Sequence, residues 1–79
     1  MVTFIWIEFN LQKIDNHNLS ADEVEHAWHQ RIDLKKRTHP QHGTYWESIG
    51  ECPSGRRIKI IWRYNQLDDE KQVFVITAY

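Results

Sequence analysis

The sequence predicts an α+β domain of element order β-α-α-β-β-β, with a four-stranded antiparallel sheet and two helices on one face. Three observations lead to this prediction. A capping box at Ser20 precedes a stretch without Gly or Pro. The longest strand-like run, Gly55–Tyr64, is rich in β-branched and aromatic residues. Two further strand-like runs, Tyr45–Ile49 and Gln72–Tyr79, flank it across short turns, which is typical of an antiparallel meander.

The first half of the chain predicts one short strand and two helices. Thr3–Ile7 is apolar on both faces of a strand, so we expect a helix to cover it on at least one side. The first helix is expected from Glu8 to about Asn16, and Asn18 suits a left-handed cap after it. The second helix is expected from Ala21 to about Gln30. Its core-facing residues are Val24, Ala27 and Trp28.

Residues 33–43 predict a loop, because Pro40 and Gly43 interrupt any regular pattern. This segment carries three consecutive cations, Lys35, Lys36 and Arg37. A basic loop of this kind is either solvated or in contact with phosphate.

Length and composition indicate a small globular domain. The 79 residues suffice for one domain, 1–79, and 41% of them are hydrophobic while 27% are charged. Cys52 is the only cysteine, so an intramolecular disulfide is excluded and a cytoplasmic location is expected. No apolar run approaches the ~18 residues of a membrane span, so we expect no membrane partner.

The net charge of −1 conceals a segregation of charge along the chain. Residues 8–33 carry a net charge of −4, whereas residues 35–63 carry +5. A chain polarised in this way can present a basic surface to nucleic acid although its overall charge is close to zero.

Alternation along the central strand predicts one apolar and one cationic face. The apolar face comprises Ile58, Ile60, Trp62 and Tyr64. The opposite face carries Arg57, Lys59 and Arg63, which we call the cationic ladder, with Ile61 among them. The ladder is either an anion-binding surface or a solvated strand face that keeps the protein soluble.

Two His-x-x-His pairs have the spacing of metal ligands, His26 with His29 and His39 with His42. His26 and His29 are equally explained as ordinary exposed helix residues that pair with acids one turn earlier. Because no Cys-x-x-Cys accompanies them, we predict no metal site and no cofactor.

The remaining candidates fit RNA cleavage without a metal. Attack by a ribose 2′-hydroxyl needs a base for that hydroxyl, a cation for the phosphorane and an acid for the leaving 5′-oxygen. We expect the cationic ladder to bind the phosphate and His17 to transfer the proton, although His17 could equally cap the first helix. The candidate RNA contacts are Lys13, Lys35, Lys36 and Arg37, together with Tyr45 and Trp46 as stacking partners for a base.

Short motifs in a fixed order run through nearly the whole chain. They are Trp6-x-Glu8-x-Asn10, Lys13-Ile14, His17-x-Leu19-Ser20, Glu23-Val24-Glu25, Ile49-Gly50, Gly55-Arg56 and Val75-Ile76-Thr77-Ala78. In order and spacing they resemble the BrnT family, toxins of bacterial type II toxin–antitoxin pairs. The resemblance implies a RelE-like ribonuclease fold, cleavage of RNA, and a cognate antitoxin that covers the basic face.

The chain departs from the family pattern at two positions. Members of the family carry an Arg where Tyr79 stands here, and another near the positions of Thr44 and Tyr45. These arginines are candidates for phosphate contact in the family. Their absence leaves open whether the chain is an active endoribonuclease, a decayed one, or a non-catalytic module that binds RNA or protein on the same fold. The oligomeric state is equally open, and a homodimer is one of the alternatives.

Overall fold

The computed structural model describes residues 2–41, 43–66 and 69–79. It has an α+β fold with two helices and a mixed sheet, which confirms the predicted class. In chain order the elements are β1 (Thr3–Ile5), α1 (Glu8–Asp15), α2 (Ala21–His29), β2 (Ile32–His39), β3 (Gly43–Glu51), β4 (Arg57–Gln66) and β5 (Asp69–Ala78). No helix in the described part of the chain is long and apolar enough to cross a membrane.

The predicted four-stranded antiparallel sheet is wrong in both strand number and strand direction. The sheet has five strands in the order β1-β5-β4-β3-β2. The pairs among β2, β3, β4 and β5 are antiparallel, but β1 lies parallel to β5, with Phe4 opposite Val73. The connection from β1 to β5 contains all the other elements of the fold, so it permits this parallel pairing, whereas a tight turn enforces an antiparallel one.

The fifth strand is the segment that we expected to be a loop. Residues 32–39 form β2, which pairs with β3 from Ile32 opposite Ile49 to His39 opposite Gly43. Pro40 and Gly43 therefore bound the hairpin turn and do not interrupt a strand, and Gly43 adopts φ +77°. All eight side chains of β2 are exposed, and after Ile32 and Leu34 they are all polar, so the apolar alternation is too short to indicate a strand in the sequence.

The helix signals are confirmed. The Ser20 hydroxyl accepts a hydrogen bond from the Glu23 N–H at 3.2 Å, and the Glu23 carboxylate accepts one from the Ser20 N–H at 3.1 Å. Leu19 and Val24, which flank this helix start at the spacing of a hydrophobic staple, are both buried. Asn18 has φ +60°, the left-handed conformation expected where α1 ends.

The core lies between the helices and one face of the sheet. Ile58, Ile60 and Trp62 are buried in a single cluster with residues of α1 and α2, which confirms the predicted alternation of β4. The helix residues of that cluster are Ile14, Val24, Ala27 and Trp28. The cationic ladder therefore points to the other side of the sheet, which we call the open face.

Candidate functional site

The members of the cationic ladder have different surroundings. Arg57 is exposed and forms no ion pair with any described residue. Arg63 is half-buried, its guanidinium lies 4.7 Å from the centre of the Phe74 ring, and it donates hydrogen bonds to the carbonyls of Tyr64 and Asn65 at 3.2 and 3.3 Å. Arg63 is thus held against its own hairpin, while Arg57 remains available to an external anion.

Glu47 partly neutralises the open face. It lies on β3 opposite Ile61, accepts a short hydrogen bond from Arg37, and has its second carboxylate oxygen 3.9 Å from the Lys59 ammonium. The hydrogen bond from Arg37 is the main cause that lowers the pKa of Glu47, and the same contact raises the pKa of Arg37. Sequence reasoning missed Glu47, because only the strand order brings one carboxylate between cations of β2 and β4.

His17 lies at one corner of the sheet, just after α1. Its ring centre is 5.8 Å from that of Tyr79. Tyr79 in turn exchanges two backbone hydrogen bonds with Lys59, at 2.8 and 3.0 Å. His17, Tyr79 and Lys59 therefore meet at this corner, which we call the His17 corner.

The two arginines of the ladder lie at different distances from the His17 corner. Arg57 is two residues from Lys59 along the same face of β4, or about 7 Å. Arg63 is four residues away in the opposite direction, or about 13 Å. The structure therefore does not bring the four expected catalytic residues to one point.

The basic segment of β2 is divided between the two faces of the sheet. Lys35 and Arg37 pair with Glu47 and Tyr45 and share their face, the open one. Lys36 pairs with Trp46 on the other face, and its ammonium lies 5.6 Å from the centre of that ring. The three cations are consecutive in sequence, but strand alternation prevents them from forming one patch.

The two aromatic residues expected to stack on RNA also lie on opposite faces. Trp46 stacks on the buried Trp62, with ring centres 4.9 Å apart, and so belongs to the core. Tyr45 lines a shallow concavity of about 660 Å³ on the open face. Its other lining residues are His39, Gln41, Ile61, Arg63 and Ile76. Of the two aromatics, only Tyr45 is placed to meet a ligand on that face.

Lys13 is separate from both groups. It lies on α1, where its ammonium is 4.7 Å from the centre of the exposed Phe9 ring. Because α1 packs on the core side of the sheet, Lys13 does not extend the cationic ladder.

The other chemically reactive side chains form no site within the described residues. His26 contacts Gln30 at 2.8 Å, and the ring of His29 packs edge-on against Phe4 and Trp28. His42 lies outside the described residues, and no group of metal-ligating side chains is found among the described ones. Cys52 is buried, and this burial is the main cause that raises the pKa of its thiol, which disfavours the nucleophilic thiolate.

Comparisons with protein-family models, with curated proteins and with solved structures found no match. The geometry of the open face and of the His17 corner therefore carries the functional argument.

Proposed function

We propose that this protein is a BrnT-like endoribonuclease toxin that is neutralised by a cognate antitoxin. The observation that carries the proposal is the His17 corner, where an imidazole and a phenol lie beside the end of a cationic strand face. His17 is exposed and lies next to Tyr79. Lys59 and Arg57 lie about 7 Å apart on the same face of β4, so that both can supply positive charge to a single scissile phosphate. The residue resemblance to the BrnT family adds independent support, since it covers nearly the whole chain.

The proposed reaction is an internal displacement at phosphorus. His17 removes the proton of the ribose 2′-hydroxyl, and the 2′-oxygen forms a bond to phosphorus while the bond from phosphorus to the 5′-oxygen breaks. The Tyr79 phenol gives its proton to the leaving 5′-oxygen and recovers one from the His17 imidazolium beside it. Lys59 and Arg57 stabilise the charge that develops on the phosphoryl oxygens. The products are a 2′,3′-cyclic phosphate and a 5′-hydroxyl.

A non-catalytic module that binds RNA or protein on the same fold is the second candidate. It is favoured because three of the cations already form contacts with other residues of the protein. Arg37 and Lys59 share Glu47, and Arg63 is anchored to Phe74 and to its own turn. A surface neutralised in this way retains less charge for a transition state than a set of free cations would.

Cleavage of a short single-stranded RNA separates the two candidates. We expect the purified protein to produce a 2′,3′-cyclic phosphate and a 5′-hydroxyl, and to leave the all-2′-deoxy version of the same strand intact. His17→Ala should remove this activity, with circular dichroism as the check that the variant folds. If the wild type binds RNA but does not cut it, the proposal fails and the binding module is the better account.

The antitoxin is tested separately in cells. Induced expression should arrest growth, and the product of a neighbouring open reading frame should relieve the arrest by forming a complex with this protein. Growth arrest that persists with His17→Ala would contradict a cleavage mechanism.

A further inference from the structure

Strand β2 is an edge strand, and over residues 32–38 its outer side pairs with no other described strand. It neighbours only β3, and all eight of its side chains are exposed. Alternate N–H and C=O groups on the outer side of such a strand form a template for one more strand. The other edge, β1, spans three residues and offers much less of this backbone.

The charge of this edge selects its partner. Lys35 and Lys36 form no ion pair within the described residues, and Arg37 follows them. Antiparallel pairing of two copies through their β2 edges would bring these cations opposite one another, and like charges across a strand pair are destabilising. An acidic strand would meet the same residues with opposite charge. The edge thus disfavours a second copy and favours an acidic segment.

A groove with an apolar wall adjoins the first half of β2. Ile32 and Leu34 are 69% and 50% exposed, and with Ile49 they form the apolar wall of a groove of about 310 Å³. Its other lining residues are Gln30, Gly50, Glu51 and Arg57. A bulge at Leu34 shifts the pairing of β2 with β3 between Asp33 and Lys35. The regular part of the edge is therefore 35–38, and the groove lies at one end of it.

We propose that an acidic, extended protein segment adds to the sheet as a sixth strand along residues 35–38 of β2, with an apolar side chain in the groove beside Ile32 and Leu34. The backbone of the segment supplies the matching donors and acceptors, and carboxylates of neighbouring residues, which point to opposite faces of the sheet, pair with Lys35 and Lys36. RNA offers negative charge as well, but it lacks an alternating row of N–H and C=O groups, so the free backbone edge favours a peptide. This interaction does not depend on the proposed ribonuclease activity.

The probe is a blocked peptide with consecutive Glu residues between Val residues at its two ends, so that carboxylates lie on both faces of the added strand, and it is tested by isothermal titration calorimetry against the full chain. Two further versions carry N-methyl groups on one or the other set of alternate residues. One version blocks the edge that faces β2 and should bind at least ~10-fold more weakly, whereas the other should bind like the parent. A version with Lys in place of Glu should not bind.

Variants of the protein locate the binding. Lys35→Glu combined with Lys36→Glu should abolish binding of the acidic peptide and permit binding of the Lys version. Arg56→Glu combined with Lys71→Glu is the control with the same change of charge, since Arg56 lies just before β4 and contacts Asn18 while Lys71 lies on β5, and it should leave peptide binding almost unchanged. Hydrogen exchange should show added protection at alternate amides of 35–38, which charge attraction alone would not produce.

Equal binding of the two N-methylated peptides would overturn the proposal, because it would mean attraction by charge without strand addition. Absence of peptide binding to a folded wild type would overturn it as well. The edge would be assigned to RNA if a single-stranded RNA bound more tightly than the peptide, competed with it, and no longer bound the Lys35→Glu, Lys36→Glu variant. None of these outcomes involves cleavage, so they are distinct from a failure of the proposed function.

Discussion

The indole N–H of Trp62 donates a hydrogen bond to the Ser48 hydroxyl at 2.8 Å, and both residues are buried. The same hydroxyl donates to the Asp33 carboxylate at 2.6 Å, and Asp33 accepts from Arg31 at 3.0 Å. This series of hydrogen bonds connects the centre of the core to Asp33, at the start of β2. It thus ties a strand whose side chains are all exposed to the core.

We expect Ser48→Ala to lower the free energy of unfolding by about 1–3 kcal/mol. The substitution leaves the buried Trp62 N–H without its acceptor, and an unsatisfied buried donor costs this amount. Urea denaturation followed by tryptophan fluorescence measures the effect. Ser54→Ala, in the exposed turn before β4, provides the control and should change stability by less than ~0.5 kcal/mol. Equal effects of the two substitutions would show that the Ser48 bond contributes nothing.

Gly50→Ala should destabilise the protein more than Gly55→Ala does. A Cβ at Gly50 would overlap the backbone carbonyl of Ala27 in α2, so helix and sheet would have to separate. Overpacking of this kind costs about 1–3 kcal/mol or more. At Gly55 the added Cβ meets nothing, and only its φ of +89° opposes the substitution, at about 1–2 kcal/mol. Thermal unfolding of both variants tests this order, and a reversal would contradict the close approach of α2 to β3.

The ion pair of Glu47 predicts a pH dependence of stability. Its pKa is lowered from an ordinary value of 4.5, so the unfolded chain binds a proton at this site more readily than the folded one. The stabilisation is therefore present above that value and is lost as the pH falls through the lowered pKa. We expect wild type to be more stable than Glu47→Gln at pH 7, and the difference in melting temperature to vanish well below pH 4.5.

Glu51→Gln is the control for this pH series, since Glu51 lies on the same strand and forms no ion pair within the described residues. A difference between wild type and Glu47→Gln that stays constant over the whole pH range would contradict the pairing of Glu47 with Arg37. Arg37→Gln should raise the pKa of Glu47 in an NMR titration, because its hydrogen bond is the main cause of the lowered value.

The position of the His17 corner predicts unequal effects within the cationic ladder. Lys59→Ala should lower RNA cleavage by ~10²-fold or more, since Lys59 adjoins Tyr79. His17→Ala should lower it by ~10²–10⁴-fold and flatten the pH dependence near neutrality. Arg63→Ala should have the smallest effect on cleavage, because Arg63 is distant and held by Phe74. If Arg63→Ala lowered RNA cleavage more than Lys59→Ala did, the catalytic site would lie at the concavity beside Tyr45 and not at the His17 corner.

Local sequence determined the helices, their caps and the core face of β4. The capping box needs only residues three apart, and the left-handed Asn18 follows from the intrinsic tolerance of Asn for that conformation. Alternation along β4 likewise depends on neighbours two residues apart, so Ile58, Ile60 and Trp62 could be assigned to the core in advance.

Only the tertiary structure decided the number of strands, the direction of β1 and the composition of the candidate site. Strand β2 is held by backbone pairing with β3, and all its side chains after Leu34 are polar, so its sequence resembles a loop. The strand order then placed Glu47 between two cations, and the last strand brought Tyr79 beside His17. These relationships join residues 10–62 positions apart, and they depend on strand pairing through backbone groups that nearly every residue type carries.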